Sequence, residues 1–290
     1  MHLLPSLGEL IEAPGPEHAR KARMLGLSGE ASRKDFTNLF VIQLFPYASL
    51  YLSANGLMAP AIKNDIAEFF RRLDAKPPEE PDHLATLLKW YGLLQGGAYG
   101  RYISGETTAQ LRHAFFWSAV ASWVPTYLLR ARELGATLYK GWAEVALDVL
   151  EAEAVQVGPP ALLPHYLSAA PPPPAPRAEA SGFVDSLFVP VVSGLLLCRA
   201  DLGRCAQANN LTIRVSDRRH TLKLFLTENV ADVCSWLHDE ALRQAGNLRG
   251  LSDVYGPVRD YWVERAESCA QSILEFRSLY TRQRPFNPQS

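Results

Sequence analysis

A chain of 290 residues is longer than one minimal domain requires, and one large or two modest domains would fit. With 48% hydrophobic and 10% aromatic residues it can bury a sizeable core, which excludes global disorder. A formal net charge of −1 excludes bulk attraction to nucleic acid or to an anionic membrane.

The chain opens as Met1-His2-Leu3-Leu4-Pro5, without the charged start and sustained apolar run of a secretory signal. The most apolar stretch, 114–129, is shorter than a bilayer-spanning helix and contains Pro125, so a soluble, cytoplasmic protein is expected. Residues 34–44 place Phe36, Leu39, Phe40 and Leu44 at three-and-four spacing, which predicts a helix. Residues 61–73 repeat the pattern with Ile62, Ile66, Phe69, Phe70 and Leu73. Asp82 is predicted to be the N-cap of a helix carrying Leu84, Leu87, Leu88, Tyr91 and Leu94 on one face. Gly96-Gly97-Ala98-Tyr99-Gly100 reads as a loop, since it lacks the lysine and preceding strand of a phosphate-binding turn. Helices are expected at 108–134, with a bend or break near Pro125, and at 138–155.

Residues 169–182 contain a run of prolines, each lacking an N–H and clashing with a preceding helical turn, so a stiff extended linker is expected there. The predicted organisation is therefore a helical domain at 1–168, the linker, and a mainly helical part at 183–290. In that last part a helix at 199–208 stops at Asn209-Asn210, and 211–215 suit a short extended segment. Helices resume at Asp217, at Asn229 and over 255–279, and the tail 282–290 is expected to be loose. Strand alternation is missing, and the fold class is all-α.

Cys198, Cys205, Cys234 and Cys269 form no C-x-x-C pair and read as reduced, buried thiols, with no metal expected. No serine or cysteine nucleophile with a base and orienter is detectable, so no catalytic residue is assigned. Two alternatives remain in other classes. His238-Asp239, with His220 and Asp253 or Asp260, would suit a metal-dependent phosphohydrolase of the HD kind, although an ordinary amphipathic helix also explains the pair. The helix at 199–208 followed by Arg214, Arg218, Arg219, His220 and Lys223 would suit DNA binding, although a solvated basic face explains it too.

Three groups carry the remaining signal. In Glu79-Glu80-Pro81-Asp82-His83, the aspartate explains itself as a helix cap and the histidine as packing on the next turn. The clustered acids also suit a partner bearing arginines. In Pro46-Tyr47-Ala48-Ser49-Leu50-Tyr51 the tyrosines fit a core or the floor of a peptide site. Trp117, Trp123, Pro125, Tyr127, Tyr139 and Trp142 fit a core stripe, with at least one member expected to face an exposed groove.

Read in order, 45–52, Gly56-Leu57-Met58, 80–88 and 123–127, within a broader likeness over 115–147, resemble the TorD/DmsD/NarJ family of all-helical cytoplasmic chaperones for molybdenum-containing oxidoreductases. The likeness spans about 34–150, and departs from the family where Ala119 stands at a position that often holds histidine. The resemblance implies a TorD-like helical bundle that is not an enzyme and uses no cofactor. It implies binding of a molybdoenzyme catalytic subunit, through its twin-arginine signal peptide or as apoprotein, before export or assembly. The peptide-binding residues it implies are Tyr47, Ser49, Tyr51, Glu80, Pro81, Asp82, His83, Trp123, Pro125 and Tyr127. Glu80 and Asp82 would face the client's arginines, beside an apolar groove. No nucleic acid and no stable membrane insertion are implied, and a homodimer stays open.

Overall fold

A computed structural model describes residues 3–97, 105–176, 180–213 and 216–282. Ala98, Tyr99 and Gly100 of the expected glycine loop, Arg214 and Val215, and the tail from 283 lie outside the described residues. Among the described residues there are fifteen α-helices and no strand, so the fold class is all-α. The chain divides into two compact units.

The first unit comprises Met1–Ser53, Leu57–Ala169 and Leu251–Val258. Its helices are α1 (Leu3–Glu9), α2 (Pro16–Met24), α3 (Arg33–Phe36), α4 (Ala48–Leu52), α5 (Pro60–Arg72), α6 (Leu84–Gln95), α7 (Gly105–Phe115), α8 (Val124–Leu134), α9 (Thr137–Val157) and α10 (His165–Ser168). The expected stripes are mostly buried, with Phe36 and Phe69 half-buried. Ile62, Ile66 and Phe70 of α5 recur every four residues, and Leu84, Leu87, Leu88, Tyr91 and Leu94 of α6 line one face. α1 lies against α6 and α8 against α9. The first of these contacts is close because both partners present glycine. A Cβ on Gly8 would sit 2.8 Å from the Ala85 carbonyl oxygen, and one on Gly92 would sit 2.5 Å from Pro5. Trp142 donates its indole N–H to the Leu7 carbonyl at 3.0 Å, satisfying one of the carbonyls orphaned at the end of α1.

Two stretches depart from regular helix. Residues Thr37–Gln43 and Phe116–Ala121 are π-helical, a wider turn that is rare and is frequently found at functional sites. The first runs directly into Phe45-Pro46-Tyr47 and the second into Trp123. Pro125 does not bend a helix. It lies in the first turn of α8, where its missing N–H has no partner to lose.

The second unit comprises Ala54–Gly56, Ala170–Gly250 and Arg259–Ser290. It holds α11 (Ala180–Ser186), α12 (Pro190–Ser193), α13 (Arg199–Ala208), α14 (Arg218–Arg249) and most of α15 (Gly256–Arg282). The proline run contributes to this unit, because Pro174 is buried and the Pro171 carbonyl accepts a hydrogen bond of 2.5 Å from Arg265. α13 ends as expected, with Asn210 in the left-handed region at φ 54°. The two helices expected at Asp217 and Asn229 are joined as α14 across a kink, where Asn229 is non-helical and its side-chain oxygen accepts from the Asp232 N–H at 3.1 Å. All four cysteines are free and buried, and burial pushes the Cys205 and Cys234 thiols up to about 12.

Candidate functional site

The two motifs singled out in the sequence meet in the first unit through a single antiparallel bridge between Tyr47 and His83. The Ala48 N–H donates to the Asp82 carbonyl at 3.0 Å, and the Leu84 N–H to the Pro46 carbonyl at 2.8 Å. The side chains repeat the pairing. The Tyr47 hydroxyl donates to Glu80 Oε1 at 3.0 Å, and the Tyr47 ring meets the His83 imidazole edge to face at 4.9 Å. The Ser49 hydroxyl donates to Asp82 Oδ2 at 2.6 Å, and the Ser49 N–H reaches the same oxygen at 3.4 Å. Residues more than thirty apart in sequence thus form one cluster, in which burial and the Glu80 hydrogen bond push the Tyr47 phenol up to about 12.

Asp82 is not the N-cap of α6. That place belongs to His83, whose Nδ1 accepts from the Ala85 N–H at 3.1 Å. The reason is tertiary: the bridge draws the Asp82 carboxylate to the start of α4 and leaves the cap of α6 to the next residue. An Nδ1 that accepts is unprotonated, so the imidazole is the neutral tautomer with its proton on Nε2. Burial lowers the His83 pKa from its usual 6.5, and Lys89 adds to this, while Glu80, Glu12 and Asp82 pull the other way. A base with a depressed folded-state pKa stabilises the fold fully above the unfolded value, and that contribution is lost as pH falls through the lower folded value. Between pH 7.5 and 5 the wild type is therefore expected to lose more unfolding free energy than His83→Asn, which keeps a capping oxygen without titrating. Urea midpoints at the two pH values measure this, and parallel losses in both proteins would remove His83 from the explanation.

Tyr51, Trp123, Pro125 and Tyr127 lie below this cluster, in the core. Tyr51 stacks on Trp123 at 4.9 Å and 12°, and Tyr127 meets Tyr51 at 5.5 Å. The expectation that at least one of the six aromatic-stripe residues faces an exposed groove is not met, since Trp117, Trp123, Pro125, Tyr127, Tyr139 and Trp142 are all buried. Backbone carbonyls explain how so many can be. Trp117 donates to the Gly158 oxygen, Trp123 to that of Ala119, Tyr127 to that of Leu44 and Trp142 to that of Leu7, so burial strands none of these four polar tips, whereas the Tyr139 hydroxyl is buried without a partner. Ser49, Pro81 and Asp82 are likewise buried, whereas Tyr47 and His83 are half-buried and Glu79 and Glu80 exposed.

Exposed apolar side chains flank the cluster; Phe45, Leu57 and Met58 lie within the quoted motifs, but none of these side chains was in the expected peptide-binding set. Val41 and Ile42 stand out from the π-helical turn, Phe45 is 40% exposed, and Leu57 and Met58 are more than half exposed. The Met58 sulfur lies 3.5 Å from the Ser49 hydroxyl. The available sequence signal was that Val41 and Ile42 fall outside the three-and-four stripe of their helix, and so cannot share its buried face.

In the second unit, His238 and Asp239 contact each other at 2.9 Å on α14, with Asp239 at the surface. Among the described residues no three His, Cys, Asp or Glu side chains gather as a metal site. The basic residues of α14 are engaged locally. Arg218 donates to the Leu197 carbonyl at 2.7 Å, Arg219 to that of Asn55 at 3.4 Å, and Lys223 pairs with Asp185 at 2.8 Å. No helix of the described residues is long and apolar enough to cross a membrane.

Residues 19–128 match the family described as nitrate reductase delta subunit, which bears out the resemblance to the TorD/DmsD/NarJ chaperones of molybdoenzyme maturation. The matched segment contains the whole cluster from Val41 to His83 and covers less than half of the chain. Neither the curated proteins nor the solved structures compared with the chain contain a match.

Proposed function

We propose, from the nitrate reductase delta subunit match over residues 19–128, that this protein is a cytoplasmic chaperone, without catalytic activity, that holds the twin-arginine signal peptide of a molybdenum-containing oxidoreductase during maturation. The observation that carries the choice of ligand is the juxtaposition at the Tyr47–His83 bridge. The exposed carboxylate of Glu80 is held by the Tyr47 hydroxyl, the exposed Met58 lies against Ser49 of the same cluster, and the exposed Phe45 precedes Tyr47 by two residues. A segment with paired arginines followed by an apolar run presents the complementary order, with guanidinium groups for the carboxylates and hydrocarbon for the apolar rim.

Tyr47, Glu80 and His83 are the members of the expected set that a ligand can touch without rearrangement. Ser49, Tyr51, Pro81, Asp82, Trp123, Pro125 and Tyr127 form the frame behind them. Affinity comes mainly from the apolar contacts, because an exposed ion pair contributes little in water, and the acids contribute register and selectivity.

Fluorescence anisotropy with a labelled peptide bearing two adjacent arginines and an apolar run tests this reading. Glu80→Gln is expected to weaken binding about 3- to 5-fold at low salt and to flatten its salt dependence. Phe45→Asp is expected to weaken it more strongly at every salt concentration. A peptide that fails to bind the wild type, or binds equally well with its arginines replaced by glutamine, would overturn the proposal.

A further inference from the structure

Resting on that reading, we infer that Asp82 is a positioning residue, which holds the start of α4 and with it Tyr47, while the ionic contact with the client falls to Glu80. The argument begins with a defect in α4. Its N-cap is Tyr47, whose side chain makes no capping hydrogen bond, so the first backbone N–H groups need partners from elsewhere. Asp82 supplies two of them. Its carbonyl takes the Ala48 N–H at 3.0 Å, and its Oδ2 takes the Ser49 N–H at 3.4 Å together with the Ser49 hydroxyl at 2.6 Å. A residue thirty-odd positions away thus caps α4, using both its backbone and its side chain.

The consequence is transmitted through one residue. Tyr47 immediately precedes α4, its hydroxyl holds Glu80 at 3.0 Å, and its ring packs on His83 at 4.9 Å. Releasing the start of α4 therefore releases the two groups that face a client. Direct contact between Asp82 and a guanidinium is opposed by burial, since Asp82 is 1% exposed and its Oδ2 is already held by the Ser49 hydroxyl at 2.6 Å. Glu80, at the surface, meets a cation with no rearrangement.

Two measurements test the inference, and the first is independent of any ligand. Native-state amide exchange over residues 48–52 is expected to quicken about 5- to 10-fold in Asp82→Ala and in Ser49→Ala. In Asp82→Asn, whose amide oxygen still accepts from Ser49, it is expected to stay within about 2-fold. Unchanged exchange in Asp82→Ala overturns the positioning role. The second measurement is affinity for the arginine-bearing peptide over a salt series. Asp82→Ala and Ser49→Ala are expected to weaken it by similar factors, and Asp82→Asn to bind with wild-type salt dependence. If Asp82→Asn binds as poorly as Asp82→Ala while Ser49→Ala binds normally, the Asp82 charge itself meets the client and the inference fails. If the wild type does not bind the peptide, the ligand assignment falls, and the exchange data alone decide the role of Asp82.

Discussion

Glu153→Ala is expected to lower the unfolding free energy by about 3 kcal/mol. Glu153 lies on α9 with only 2% of its surface exposed, and it is the shared acceptor of three donors from two other helices. The Tyr91 hydroxyl and the Gln95 amide reach it from α6, the latter at 2.8 Å, and the Arg112 guanidinium reaches it from α7, with Nε at 2.8 Å. Truncation to alanine strands the cation and both neutral donors at once, which is the costly way to break a buried pair. Arg112 is a quarter exposed, so solvent moderates its share and places the expectation at the low end for such pairs. Because the partners act together, Glu153→Ala combined with Arg112→Ala should cost less than the sum of the two single changes. Urea unfolding followed by circular dichroism measures all three proteins. A single-variant loss below about 1 kcal/mol would mean that water replaces the carboxylate without difficulty.

In the second unit the largest effect is expected at Gly194. It closes α12 in the left-handed region at φ 73°, and a Cβ there would lie 2.3 Å from the Ala266 nitrogen and 2.7 Å from the Arg265 carbonyl carbon. These are backbone atoms, which cannot swing aside as a side-chain end can. Gly194→Ala combines a left-handed penalty of about 1–2 kcal/mol with overpacking of about 1–3 kcal/mol, for an expected loss of about 3 kcal/mol or more. Gly203 provides the contrast. It lies inside α13 with nothing within 4 Å of its Cβ position, so Gly203→Ala is expected to stabilise by about 0.5–1 kcal/mol. Thermal melts of the two variants should move in opposite directions. A Gly194→Ala protein that melts with the wild type would show that α12 and α15 can separate at that point without loss.

Helix existence and the buried stripes were legible in the order of residues because periodicity is a local property. Ile62, Ile66 and Phe70, or Leu84 through Leu94, advertise a face whatever the rest of the chain does. The same holds for the stop at Asn209-Asn210 and for Pro125 as a discontinuity, although that proline opens α8 instead of bending a longer helix. The motifs that resemble molybdoenzyme chaperones were also legible, as short strings in a given order, and the family match over 19–128 covers them up to Tyr127.

Tertiary structure alone decided which residues of those strings face outward. Asp82 carries the residue type of an N-cap, yet the Tyr47–His83 bridge turns its carboxylate toward Ser49 and makes His83 the cap. Trp123 and Tyr127 resemble peptide anchors in isolation, but carbonyls of Ala119 and Leu44 satisfy their polar tips and allow both rings to be buried. Val41 and Ile42 are the local exception, since they fall outside the stripe of their own helix and emerge on the π-helical turn. The physical reason is the same for Asp82 and Tyr127. A hydrogen-bond partner distant in sequence changes what a side chain must do, and no local pattern records where that partner will be.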